Sequence, residues 1–448
     1  MTSFTDLTFL FRFLPIFLLI YYLVKPKYKD YVMLVASIFF YAVGAKIFVL
    51  LLMALTGFNY FYVAYSYRHD LSKKSSMVIP VVIDVIVLFA FKGMSVFVDN
   101  ALLPLGLSFY IFKMISLQAD VYRRRIPENP GFFAVATYFT MFPQISEGPI
   151  MRFETGNFKS ERHVVIRKVE QGLKYFIIGF AMKTILADRI GILWNDIQMY
   201  GYESISTPLA WLGAFAYTFE LYFDFWGYSL MAEGLLVAMG YDFVRNFDEP
   251  YSSKTISEFY RRWHMTLGSF FRDYVYFPMG GSRCSKAKMC FNLMVVWALT
   301  GIWHGNGINF LIWGLVLGVF IVLEKLFYGK TFTKIPVVGN IYVIFIIPLT
   351  WVIFAITDLN KLLVYFTRLF PFFGTKSSVI NNSDIFMYLQ DYWWMFLVAI
   401  LLCIPKITGF LKNHLRNWYM NVILFALFWI SIYFSASSAG NPFMYLNF

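Results

Sequence analysis

Apolar runs separated by short basic clusters leave this chain one solvent in which to fold, a lipid bilayer. Phe9–Val24, Tyr31–Gly44, Ile47–Tyr67, Met77–Val98 and Leu102–Tyr122 follow one another with short breaks. A helix of about 20 apolar residues crosses ~30 Å of hydrocarbon. The breaks after the first, third and fifth runs carry Lys25, Lys27 and Lys29, then Arg68, Lys73 and Lys74, then Arg123, Arg124 and Arg125; the others are poor in cations. Cytoplasmic loops collect Lys and Arg, so the alternation predicts an N-terminus outside. Composition agrees: 14% of the 448 residues are charged and 59% are hydrophobic, against about a quarter charged in a soluble domain. The net charge of +12 is then explained by loops rather than by nucleic acid. Cys284, Cys290 and Cys403 show no ligand spacing, which predicts neither a metal site nor a structural disulfide. Met1–Leu7 lacks a basic leader, so the first run reads as an uncleaved span.

Gly131–Met151 is apolar but broken by Phe142-Pro143-Gln144-Ile145-Ser146-Glu147-Gly148-Pro149. Backbone freed by proline and glycine has no partner in lipid, so this segment is expected as a re-entrant piece inside protein. Further helical runs carry Lys183, Asp188 and Arg189, and then Glu220, Asp224 and Glu233. Phe259, Trp263, Leu267, Phe270 and Tyr274 recur at steps of three and four, which predicts one interfacial helix on the cytoplasmic side. Met289–Trp303 and Ile308–Leu323 are apolar arms around the break His304-Gly305-Asn306-Gly307, and Ile341–Ile356, Tyr392–Ile404 and Trp418–Phe434 follow. The expectation is an all-α polytopic membrane protein of about 11–13 transmembrane or re-entrant helices. No internal repeat, low-complexity tract or soluble domain is visible.

Two histidines each follow a tryptophan. His304 lies within apolar sequence between Gly301, Gly305 and Gly307. An ionisable group at membrane depth marks a functional site or pathway, and a neutral imidazole suits proton transfer near pH 7. A buried histidine bonding a carbonyl between two helices fits the same pattern. His264 sits beside Arg261 and Arg262; taken alone, an ordinary interfacial histidine is the simpler reading. Arg261, Arg262 and Arg272 suit a phosphate-bearing donor, although loop charge bias also places them there. Glu220 and Asp224 share a helix face and are expected to pair with Lys113, Lys183 or Arg189 rather than relay protons. Glu147 and Arg152 flank the re-entrant break and would brace it. His69, His163 and His414 lie in polar loops and read as bland. The aromatic tail Asn441–Phe448 reads as an interfacial anchor.

Arg261-Arg262-Trp263-His264, Arg272-Asp273-Tyr274-Val275-Tyr276, Gly280-Gly281 and Gly301-Ile302-Trp303-His304-Gly305, in that order, resemble the membrane-bound O-acyltransferase (MBOAT) family, in its bacterial alginate O-acetylation branch. Pro104–Tyr110, Asp120–Arg123, Gly148–Arg152 and Tyr222–Phe225 fit the same pattern. The best-matching stretch runs from about residue 36 to 324 within a single expected domain, 1–448. Phe443-x-Tyr445-x-x-Phe448 resembles a tyrosine motif that ends some of these proteins, or a small partner in teichoic acid D-alanylation. Glu220, Trp226, Leu230 and Asn306-Gly307 depart from the family pattern, which bears on the acceptor. Pro278-Met279-Gly280-Gly281 favours acetyl over D-alanyl transfer.

The resemblance implies a funnel through which an acyl group, acetyl by preference, passes from a cytoplasmic thioester to the outer face. Acetyl-CoA or an acyl carrier is the donor substrate, with no bound cofactor and no metal. It makes His304 a general base at the waist and His264 a donor-side catalytic residue, with Arg261, Arg262 and Arg272 as donor-binding residues. Trp303, Asn306, Glu147 and Asp224 would line the passage, and Tyr445 would accept the acyl group as a phenyl ester. The implied partners are an extracytoplasmic esterase-type transferase, a cell-surface polysaccharide and membrane lipids, not nucleic acid. The implied location is the bacterial cytoplasmic membrane, with both termini outside. A secondary transporter is the main alternative, although the repeated half usual there is missing. A lipid- or protein-directed acyltransferase of the same superfamily is the other.

Overall fold

The computed structural model describes residues 3–69, 74–98, 102–158, 161–373, 381 and 383–437. These fall into two compact units. The first comprises the described residues within 1–180, 227–245 and 427–437, and the second those within 181–226 and 246–426. No strand occurs among the described residues. In chain order the α-helices are α1 (Leu14–Leu23), α2 (Lys29–Ala45), α3 (Phe48–Arg68), α4 (Lys74–Phe97), α5 (Leu107–Tyr122), α6 (Phe132–Thr140), α7 (Phe153–Gly156), α8 (Ile166–Ala181), α9 (Asp188–Tyr200) and α10 (Thr207–Ala238). They continue with α11 (Ile256–Arg262), α12 (Met265–Phe271), α13 (Lys286–His304), α14 (Ile308–Leu323), α15 (Gly329–Lys334), α16 (Pro336–Ala355), α17 (Leu359–Leu369), α18 (Asp384–Leu402), α19 (Pro405–His414) and α20 (Trp418–Ser437).

Among the described residues, six helical stretches are long and apolar enough to cross a bilayer: α3, α4, Ile308–Lys334, α16, α18 and α20. Only 17–50% of their most apolar windows is buried in protein, so the rest is an outward apolar surface. Faces of that kind need lipid around them, and the chain is a multi-pass membrane protein. The run expected as a fifth span behaves differently. Its helix, α5, begins only at Leu107, and nearly all its side chains are buried, Lys113, Gln118 and Asp120 among them. It is a core helix of the first unit. Polar bonds tie it in: Lys113 Nζ donates to the Tyr138 carbonyl at 3.1 Å. Gln118 Nε2 donates to the Asn59 carbonyl at 2.8 Å, while Asn59 Nδ2 donates to Asp84 Oδ1 at 2.9 Å.

The re-entrant expectation is matched within the first unit. After α6 the chain makes a 3-10 turn, Phe142–Gln144, and every residue of 141–151 is buried. Its freed backbone is met by side chains. Phe142 N donates to Ser37 Oγ at 2.9 Å, and Tyr138 OH donates to the Met151 carbonyl at 2.9 Å. The Phe142 ring sits among Phe13, Phe17 and Phe40 at centroid distances of 5.3, 5.2 and 5.6 Å. Gly106 faces this segment with φ +65°, and a Cβ there would lie 1.7 Å from the Ile145 carbonyl oxygen. Asp30 anchors the same unit, accepting from Arg162 Nε at 3.2 Å and Tyr241 OH at 2.9 Å. A recess of about 380 Å³ opens beside it, lined by Lys27, Tyr31, Phe133 and Glu161; neither histidine of the two Trp-His pairs lines it.

Gly106→Ala should destabilise the protein by at least ~2 kcal/mol, because the left-handed backbone alone costs about 1–2 kcal/mol and the carbonyl must also move. Thermal denaturation of detergent-purified protein measures it, with Gly57→Ala as control, since that position meets nothing within 4 Å.

A candidate acyl-transfer site around two histidines

The segment from residue 257 to 274 does not form the single helix its periodicity predicts. Thr255 caps α11 by accepting from Glu258 N, and Glu324 secures the same end. Its carboxylate accepts from Ile256 N at 2.5 Å, Ser257 N at 2.9 Å and Ser257 Oγ at 2.5 Å. A carboxylate bound to helix-start amides offsets the dipole and the unpaired donors together. The helix then stops at Arg262. His264 takes a left-handed backbone, φ 43° and ψ 55°, and α12 restarts at Met265 in a new direction. Phe259, Trp263, Leu267 and Phe270 are nevertheless all buried. Periodicity found the apolar face and missed the break within it.

At that break the imidazole is 2% exposed. Its Nδ1 lies 3.0 Å from Asn246 Oδ1, which also accepts from Thr266 N at 3.3 Å and Thr266 Oγ1 at 2.9 Å. Phe225 packs against the ring at 4.7 Å. His264 lies outside the six candidate spans, and burial pushes its imidazole down to about 3. It therefore stays neutral at physiological pH.

His304 ends α13, and α14 begins at Ile308. The two helices form a tight hairpin because Gly301 lacks a side chain: a Cβ there would lie 2.4 Å from the Phe310 carbonyl oxygen. His304 is 5% exposed and is boxed by rings of Trp303 at 4.7 Å, Trp313 at 5.0 Å and Phe354 at 5.3 Å. His264 lies 6.2 Å from the Trp303 ring. The second unit thus brings the two imidazoles near one indole, Trp303, although 40 positions separate them in the sequence.

The other candidates divide. Asn306 is exposed in the turn after His304. Asp224 pairs with Lys183 at 2.5 Å, and Lys183 also holds Asp188 at 2.7 Å. This is one of the pairings its sequence setting suggests. Glu220 lies in the same region, against Gly191, where a Cβ would sit 2.2 Å from Glu220 Oε1. Glu147 is fully buried in the first unit. Arg262 is held by Glu258 at 2.8 Å, and Arg272 by Asp273 at 2.8 Å. Arg261 is exposed and makes no ion pair among the described residues. Tyr445 lies outside the described residues. Sequence reading missed Asn246 and Glu324, because each acts across a long loop and belongs to no local pattern.

Residues 33–367 match the description "MBOAT, membrane-bound O-acyltransferase family". The chain belongs to that family and is an O-acyltransferase. It is 34% identical over 408 residues to "Probable alginate O-acetylase" of Pseudomonas aeruginosa, covering 85% of this chain and 77% of that one. It is 27% identical over 508 aligned positions to the peptidoglycan O-acetyltransferase of Helicobacter pylori, covering 98% and 96%. With the teichoic acid D-alanyltransferase of Bacillus subtilis it shares 30% over 264 residues, 53% of this chain and 63% of that one.

Lys183→Met should cost about 3–5 kcal/mol, because it removes the cation that buried Asp224 and half-buried Asp188 share. Adding Asp224→Leu should recover a large part of that loss. A double-mutant cycle on thermal unfolding measures both.

Proposed function

We propose that this enzyme moves an acetyl group from a cytoplasmic thioester, acetyl-CoA or an acyl carrier, to the outer face of the bacterial cytoplasmic membrane, for O-acylation of a cell-surface polysaccharide. The observation that carries the reading is the pair of buried imidazoles on one indole, Trp303. Two points support the acetyl branch. The O-acetylating relatives align over 85% and 98% of the chain, the D-alanylating one over 53%. The acceptors their names give, alginate and peptidoglycan, both offer sugar hydroxyls.

In the proposed reaction the acceptor hydroxyl attacks the thioester carbonyl while His304 takes its proton. The tetrahedral intermediate expels the thiolate, and the imidazolium returns the proton to it, leaving an ester and a free thiol. A thioester is already activated, so proximity and one proton acceptor suffice. His264 stands on the donor side, where Arg261 is the unengaged cation. Tyr445 is the first acceptor, forming a phenyl ester from which an extracytoplasmic Ser-His-Asp transferase acylates the polymer. Both termini lie outside in this arrangement, in keeping with the alternating loop charge.

Polymer acetylation in a deletion strain complemented at matched protein levels tests the proposal. His304→Ala should lose on the order of 10²–10⁴-fold in rate, and Tyr445→Phe should abolish polymer acylation while the protein stays folded. Normal acetylation with His304→Ala overturns the base assignment; full activity with Tyr445→Phe overturns the relay. Uptake of a solute without any acyl donor would support a transporter instead.

A further inference from the structure

The Asn246 side chain faces His264 with its oxygen, and its environment settles that orientation. Thr266 N can only donate, and it donates to Oδ1. An amide oxygen has no proton to give, so the hydrogen between Asn246 Oδ1 and His264 Nδ1 must sit on the imidazole. Nδ1 is then the N–H nitrogen, and Nε2 keeps its lone pair. Nε2 is buried and has no hydrogen-bond partner among the described residues. Leaving such an atom unmatched costs stability, and so does the left-handed backbone of His264. Two costs at one residue point to a task for that nitrogen.

We propose that Asn246 is a positioning residue: it locks His264 in the Nδ1–H tautomer, so that Nε2 is a permanently neutral hydrogen-bond acceptor for an N–H or O–H of the acyl donor. The assignment rests on the acyltransferase reading above and divides the labour of the two histidines. His304 moves the proton; His264 holds the donor and does not titrate. Thioester donors of the carrier type contain amide N–H groups, which are the chemistry such an acceptor recognises. The side chains packed on His264, namely Phe225, Asn246, Thr266 and Trp303, do not titrate. His304 lies beyond Trp303. Arg245 and Asp248 flank Asn246 in its loop, and Arg261 and Arg262 precede the turn on α11; none of these supplies a charge that lowers the imidazole, which burial alone accounts for.

The first arm of the test needs no activity. Nitrogen-15 NMR of histidine-labelled protein resolves protonated from bare ring nitrogens, and the chain has only five histidines; the His264 signals are those lost in His264→Gln. A protonated Nδ1 and a bare Nε2 at neutral pH support the proposal. A protonated Nε2 or an imidazolium overturns it. The second arm is kinetic, with acetyl-CoA as donor and purified protein. Asn246→Ala should raise KM for acetyl-CoA by about ten-fold or more, up to the cost of His264→Ala, with a smaller change in kcat. Asn246→Asp has the same shape but adds a carboxylate, which raises the imidazole pKa. Nε2 is then protonated below that raised value, so this variant should lose activity as pH falls through the acidic range, at higher pH than the wild type does, and recover it as pH rises. The wild-type limb from His264 should lie down at about 3. An Asn246→Asp enzyme with wild-type KM and pH profile overturns the proposal, even where Asn246→Ala fails to fold. An absence of acyl transfer in every preparation would sink the function proposed above, while the NMR arm would still decide the tautomer.

Discussion

Backbone polar groups that leave a helix at membrane depth must find partners within the protein, because hydrocarbon offers none. The structure depends on how that demand is met. Side chains with one polar atom at the end of an apolar body are used again and again. Tyr21, Tyr41, Tyr67 and Tyr365 donate their hydroxyls to the carbonyls of Met239, Leu105, Ile126 and Ala210. Asn309 reaches the carbonyls of Ile353 and Phe354, and Asn340 those of Ser252 and Ser253. Glu324 supplies the converse, an acceptor for free amides. Each bond contributes about 1 kcal/mol, but an unmet group would cost more than that. Irregular segments, where chemistry needs backbone to bend, are thereby made tolerable.

This dependence explains what was legible in the chain. The apolar runs mark α3, α4, α16 and α20 closely, since hydrophobic length is a local property. The re-entrant segment around Phe142–Pro149 was legible too, because proline and glycine carry their conformational meaning with them. The run ending at Tyr122 forms a helix enclosed by protein, a setting that composition does not separate from a lipid-facing one. The periodic stripe from Phe259 to Tyr274 misled. Spacing shows which side chains share a face and is silent about a single left-handed residue that redirects the helix. Tyrosines counted as apolar in the sequence turn out to be loop anchors, and no local signal distinguishes them.

The site was half legible. Family resemblance and the setting of His304 both singled out the two Trp-His pairs, and the structure brings both imidazoles near Trp303. Aromatic rings pack around both, Phe225 on His264 and Trp313 and Phe354 on His304. The basic residues read as a donor cradle are in part committed elsewhere: Arg262 braces α11 through Glu258, and Arg272 is held by its neighbour Asp273. Asp224, read as a lining residue, is a counter-ion for Lys183. Charge here serves internal pairing, as the setting of Asp224 beside Lys183 in the sequence reading anticipated.

The α13–α14 hairpin carries a consequence for the protein in different membranes. One end of its first helix holds His304; the end of its second presents Glu324, which fixes the start of the short helix leading to His264. Tyr260 of that short helix lies against Trp297 of the hairpin at 4.6 Å. The spacing of the two imidazoles is therefore set by protein touching protein. Spans respond to thicker or thinner bilayers by tilting, and here the hairpin and the short helix are joined at two places by contacts within the second unit. A tilt of the hairpin would therefore carry the turn at His264 along with it, as a lens and its mount move in one piece.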